Sequence, residues 1–140
     1  MNTKITKKTQ YAVAAMLELA KLQNSASIMT ISNNQAIEQN YMSLILLELK
    51  KKNLVSSSRG VKGGYQLAKS IESISISEIM DAVGEKIIVT RCKNRSNSCI
   101  GTKERCAAHK LWHGLEVAIE SYLSSITLKD ILLSDGNFVH

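Results

Sequence analysis

The chain has 140 residues, 44% hydrophobic and 21% charged, which suits one packed domain with an appended element and argues against wholesale disorder. No apolar run approaches the ~18 residues of a membrane span, and no apolar stretch follows the polar start MNTKITKKTQ, so a cytosolic protein is expected. The net charge of +6 is lopsided: residues 1–70 carry ten Lys/Arg against three Glu (+7), and residues 71–140 eight against nine Asp/Glu (−1). A basic half points to a polyanion partner, most often nucleic acid, and Lys7 and Lys8 belong to it.

Proline is absent, which favours helices. Residues Thr9–Gln23 repeat Val13, Met16, Leu17, Ala20 and Leu22 near helical period, with Thr6 or Thr9 as the cap. Asn24–Ser27 reads as a turn. A short helix is expected over Thr30–Ala36, capped by Thr30, with Ile31 and Ala36 facing inward. A second helix is expected from about Gln39 to Lys52, where Tyr41, Leu44, Ile45, Leu47 and Leu49 supply core positions. Lys50, Lys51 and Lys52 in its last turn complement the helix dipole. Two short helices with a tight connection form a helix-turn-helix pattern.

Leu54–Ser58 and Tyr65–Ala68 are β-prone runs flanking RGVKGG. Gly60, Gly63 and Gly64 permit positive φ, so the segment reads as a hairpin with a basic tip. A hairpin directly after a helix-turn-helix is a wing, and Arg59 and Lys62 at its tip are placed to reach phosphates or a minor groove. Ser75–Glu78 has the S-x-x-E form of a capping box, and Gly84 can close the short helix that follows. In Cys106–Ser125, the residues Leu111, Trp112, Leu115, Ala118, Ile119, Tyr122 and Leu123 make a broad apolar stripe. We read it as a dimerisation helix, which suits a reader of two-fold symmetric DNA. The tail is amphipathic at first and frayed at its end. The expected fold is mainly α: a winged helix-turn-helix domain (1–84), a cysteine-bearing loop (85–105), then a long helix and tail (106–140).

All three cysteines lie in one stretch with the spacing C-x6-C-x6-C-x2-H: Cys92, Cys99, Cys106 and His109. Zinc sites usually contain close C-x2-C pairs, and none is present here. Positions 106 and 109 share one helix face. A [2Fe–2S] cluster takes four ligands and tolerates histidine in place of cysteine. Seven Lys/Arg against one Glu between Lys86 and Lys110 would offset an anionic centre. The residues thus favour a metal site, with iron–sulphur ahead of zinc. His113, one turn beyond His109, is a competing ligand or a polar flank of the stripe. No nucleophile–base pair and no glycine-rich phosphate loop is present, so an enzyme is not expected.

Five segments carry a resemblance: Tyr11–Leu17 (YAVAAML), Tyr41 with the Leu/Ile-rich helix, Leu54–Leu67 (LVSSSRGVKGGYQL), Thr90–Cys92, and Cys106–Trp112 (CAAHKLW). They resemble the IscR-like iron–sulphur cluster regulators and their winged-helix relatives, over about Lys7 to Leu132. The resemblance implies a homodimeric transcription factor that binds a pseudo-palindromic double-stranded DNA operator. It also implies a [2Fe–2S] cluster on Cys92, Cys99, Cys106 and His109, with cluster-assembly scaffold proteins as donors and repression of cluster-assembly genes when loaded. Arg59 would enter the minor groove, and the helix around Asn40, Tyr41, Ser43 and Leu44 would face the major groove. The chain departs from the pattern in several places. The cysteine gaps are one residue longer than the family's five, Ala36 stands where the turn usually has glycine, and Val61-Lys62 alters the wing tip. Ser43 and Leu44 replace longer polar side chains, and Leu44 cannot hydrogen-bond a base. The rival readings are a nitric-oxide- or iron-responsive repressor of the same family, an electron-carrying iron–sulphur protein without DNA contact, and a zinc-stapled dimer.

Overall fold

Thr6 is extended, and its hydroxyl accepts the backbone N–H of Thr9 at 3.2 Å, which starts helix α1 (Lys7–Leu22). A computed structural model describes residues 5–61, 63–89 and 106–134 of the chain. Helix α2 (Ile28–Gln35) begins two residues earlier than expected. Ser27 rather than Thr30 is its cap, since the Ser27 hydroxyl accepts the Thr30 N–H at 3.1 Å. Helix α3 (Gln39–Lys51) is capped by Glu38, whose two carboxylate oxygens accept the N–H groups of Asn40 and Tyr41, each at 3.0 Å. The α2–α3 turn is set by Ala36, which adopts φ 53°, ψ 44° and is exposed rather than inward-facing. Its N–H closes on Asn33 and that of Ile37 on Ser32, leaving Ile37 to enter the core.

A left-handed alanine is strained by its Cβ, and glycine is free of that strain. Ala36→Gly is therefore expected to stabilise the fold by about 0.5–1 kcal/mol, after the greater freedom of glycine in the unfolded chain is subtracted. Thermal and urea unfolding would measure it, and a lower melting temperature would contradict it.

Strands β1 (Val55–Ser58) and β2 (Gly64–Leu67) pair antiparallel in the register Val55↔Leu67 to Ser58↔Gly64. On its other side β2 meets Ala26, through two 2.8 Å bonds between Ala26 and Tyr65. The wing is thereby tied to the residue that precedes α2. After a short 3-10 turn (Ile71–Ser73), helix α4 (Ile76–Ala82) starts with the expected capping box of Ser75 and Glu78. Helix α5 (His109–Ser125) and helix α6 (Leu128–Leu133) follow.

The core gathers Ala12, Ala15 and Met16 of α1, Ile31 of α2, and Met42, Ile45, Leu46 and Leu49 of α3 with Val55, Ile74, Ile79 and Leu128. Glu18 is buried on α1 and accepts from Asn34 (2.6 Å) and Gln35 (2.7 Å), so the last turn of α2 is held by a carboxylate whose oxygens are satisfied. One further sequence assignment is corrected. Leu44 and Leu47 are not core residues: they are 60% and 45% exposed, because Met42 and Leu46 take the inner face instead. The tail is amphipathic at its start, as expected. Ile126 and Leu128 are buried, Ile76 and Leu128 donate to Ile126 and Ile74, and a second capping box (Thr127, Asp130) starts α6 beside the first. The frayed end expected beyond it falls on residues 135–140, outside the described residues.

Candidate nucleic-acid interface and metal-ligand pair

Helix α3 presents two opposed faces. At about 100° per residue, Asn40, Leu44, Leu47 and Lys51 fall within about 60° of arc, diametrically opposite the buried Met42, Ile45, Leu46 and Leu49. Ser43 flanks that outer stripe and is half-buried. Tyr41 is half-buried as well, edge-on to Tyr11 of α1 with ring centroids 5.7 Å apart and planes at 80°. Its place is thus at the seam where the start of α3 rests on α1. Lys7 is exposed at the start of α1, whereas Lys8 is paired with Glu48 of α3 at 2.9 Å. Such a half-exposed pair contributes about 0–1 kcal/mol, so it orients the two helices more than it stabilises them.

Lys50 reaches from α3 to the hydroxyl of Ser57 on β1 at 2.6 Å, which couples the helix to the wing. Arg59 is exposed at the wing tip, and the turn there closes through Gly63 N–H to the Gly60 carbonyl at 2.9 Å. Lys62 lies outside the described residues. The outer stripe of α3, its C-terminal lysines and Arg59 are contributed by adjoining elements, α3 and the wing, that Lys50 ties together. Sequence reasoning missed Leu47 as a member of this surface. Plotting positions 40, 44, 47 and 51 against 42, 45, 46 and 49 would have found it.

Of the four candidate metal ligands, Cys106 and His109 lie within the described residues, and Cys92 and Cys99 lie outside them. Cys106 and His109 are both half-buried, and the Cys106 carbonyl accepts the His109 N–H at 3.0 Å. The helix expected from about Cys106 begins only at His109, so Cys106 lies three residues before it, in the turn that leads into α5, rather than on a shared helix face. His113 stacks on His109 with ring centroids 6.1 Å apart and planes at 12°. Both histidines line a cleft of about 620 Å³ between α4 and α5, with Met80 and Ile87 among its apolar walls and Glu116 and Glu120 on the α5 side. The carboxylate of Glu120 accepts the hydroxyl of the buried Ser77, and that of Glu116 accepts the Val89 N–H at 3.2 Å. These bonds fix the inner side of α5.

Among the described residues, nothing buries the outer side of α5. No residue of the helix is buried, and Leu111, Leu115, Ala118 and Tyr122 run along it at spacings of four, three and four. Leu111 is 63% exposed, Trp112 41% and Leu115 40%. No described helix is long and apolar enough to cross a membrane. A cysteine and a histidine thus stand at the start of a helix whose outer face is exposed among the described residues.

The chain is similar to known proteins in sequence and in fold. Residues 5–134 match the family model Rrf2, described as an iron-dependent transcriptional regulator. The chain is 37% identical over 131 residues to the HTH-type transcriptional regulator IscR of Vibrio campbellii, covering 92% of this chain and 77% of that protein. It is similar to the solved structure of T. potens IscR, with a TM-score of 0.76 and 26% identity over 98% of this chain and 93% of the other. It is also similar to CymR, the global cysteine regulator of B. subtilis, with a TM-score of 0.77 and 27% identity over 91% and 95%. On this fold and these matches, the chain belongs to the Rrf2 family of winged helix-turn-helix transcriptional regulators and is not an enzyme.

Proposed function

We propose that the protein is a dimeric DNA-binding regulator whose grip on its operator depends on an iron–sulphur cluster, and that it represses cluster-assembly genes when loaded. The single observation that carries this reading is the placement of Cys106 and His109 at the base of α5. They are a thiol and an imidazole joined by a backbone hydrogen bond where α5 starts, and that helix offers an apolar stripe suited to a second copy. The two described donors fit a [2Fe–2S] group in chemistry and spacing. Cys92, Cys99, Cys106 and His109 would hold it, and when bound it supplies a redox-active centre with one exchangeable nitrogen ligand. Cluster-assembly scaffold proteins are the proposed donors, and the cytosol the proposed compartment.

The protein's own residues do the rest. The stripe of α5 pairs with its counterpart in the second copy. Ser77–Glu120 and Val89–Glu116 hold α5 to the winged body, so a shift at the base of α5 moves the body with it. Two α3 helices are then set one DNA turn apart, about 34 Å, for the major groove of a pseudo-palindromic site. Asn40, Ser43 and Leu44 face the bases, and Tyr41 seats the helix. Lys7, Arg59 and Lys62 meet phosphates or the minor groove, with Lys8 holding α1 against α3 through Glu48. Control requires that the DNA-competent and incompetent arrangements differ in affinity for the cluster.

Anaerobic purification followed by visible absorption and iron and sulphide analysis tests the reading. A coloured protein is expected, and His109→Ala should shorten retention of the colour at least about tenfold, as loss of even an outer partner typically does. His113→Ala should leave retention nearly unchanged. A colourless protein with stoichiometric zinc, or unchanged DNA affinity when all three cysteines are replaced, would defeat it.

A further inference from the structure

The outer stripe of α3 is apolar where a nucleic-acid-facing surface is ordinarily polar. Leu44 and Leu47 are 60% and 45% exposed, and both belong to the face centred opposite the core. Packing of the monomer does not account for them, since Met42, Ile45, Leu46 and Leu49 complete the inner face. The pair is bracketed by Asn40 at one end and by Lys50, Lys51 and Lys52 at the other, all exposed. The nearest carboxylates are committed elsewhere. Glu38 is bound to the N–H groups of Asn40 and Tyr41, and Glu48 to Lys8. An apolar pair framed by an amide and by cations is complementary to a surface that is anionic at its edges and carries isolated methyl groups at its floor. In the major groove only thymine displays such a methyl, and a leucine can contact it while offering no hydrogen bond.

We propose that Leu44 and Leu47 read thymine through its 5-methyl group, so that operator choice rests on apolar contact at this part of each half-site, with Asn40 as the neighbouring hydrogen-bonding reader. The inference rests on the DNA-binding reading above. It assigns the recognised chemistry to thymine methyls and leaves the helix dipole and the α3 N-terminus without a role, because Glu38 already satisfies the first N–H groups.

The experiment uses the full chain purified without oxygen. Duplexes are selected by the protein from a randomised pool spanning about 30 base pairs, enough for two half-sites one turn apart. The recovered duplexes are resynthesised with deoxyuridine replacing thymidine, one position at a time. Removing a methyl that a leucine covers should weaken binding about fourfold at one or two positions per half-site, the value of one apolar carbon returned to water. In Leu44→Ala or Leu47→Ala the same replacement should cost nearly nothing. Both side chains are exposed, so melting temperature and oligomeric state should match those of the parent protein.

Tight binding that ignores every deoxyuridine would overturn the proposal, as would a penalty that persists in both alanine variants. A change of oligomeric state in those variants, with methyl dependence unaltered, would assign the pair to contact with another copy and overturn it equally. Recovery of no duplex at all would instead remove the DNA-binding reading itself, and is distinguishable from the other outcomes for that reason.

Discussion

Glutamate at both Leu111 and Leu115 should turn the protein into a folded monomer and lower its affinity for a two-half-site operator by about 10²–10⁴-fold. The affinity lost is the gain that linking two binding modules confers, without any change in either module's contacts. Both residues lie on the outer stripe of α5, 63% and 40% exposed in the chain, so the substitutions leave the core of Met16, Ile45, Leu49, Ile79 and Leu128 intact. Burying a leucine contributes about 1.5–3 kcal/mol, and placing a charge in an apolar seam costs more, so two substitutions per chain act four times in a symmetric dimer. Sedimentation and DNA titration would measure the effect. A double variant that remains dimeric would show that another surface joins the copies. The inner bonds of α5, from Ser77 to Glu120 and from Val89 to Glu116, should survive, and with them the melting of the winged body.

Gly64→Val should destabilise the fold by about 2–4 kcal/mol, the combined scale of backbone strain and overpacking. In a domain of this size that corresponds to roughly 8–15 °C in melting temperature. Gly64 has φ +143°, and a Cβ there would stand 2.5 Å from the carbonyl oxygen of Ala26, a backbone atom that cannot swing away. That carbonyl accepts the Tyr65 N–H at 2.8 Å, one of the two bonds between Ala26 and Tyr65. Relief of the clash therefore costs the link between the wing and the start of α2, and Arg59 loses its position relative to α3. Gly60 provides the contrast. It also has positive φ, at +104°, but nothing lies within 4 Å of its Cβ position. Gly60→Ala should cost only the strain, about 1 kcal/mol. Thermal unfolding of the two variants side by side separates the explanations, and equal melting temperatures would refute the clash.

The local elements were legible because their causes are local. Apolar period, the capping box at Ser75–Glu78, the lysines closing α3 and the glycines of the hairpin are read from neighbours in the chain. The C-x2-H spacing placed Cys106 and His109 on one helix face, but α5 starts at His109 and leaves Cys106 in the preceding turn, because a helix start depends on its cap and not on the spacing of two residues. Choices between near-equal neighbours were not legible. Ser27 and Thr30 are both good caps, and only the pairing of Ala26 with the wing sets which of them begins α2. Leu44, Leu47, Met42 and Leu46 are all apolar; the helical wheel separates them into two faces, and the approach of α1 and β1 buries the face of Met42 and Leu46. Ile126 and Leu128 could equally have ended a loose tail, but the return of the chain beside Ser75 placed them in the core. The amino-acid order by itself determined which helices and hairpin form. The tertiary structure alone decided which apolar faces stay in water, because burial depends on what arrives from elsewhere in the chain.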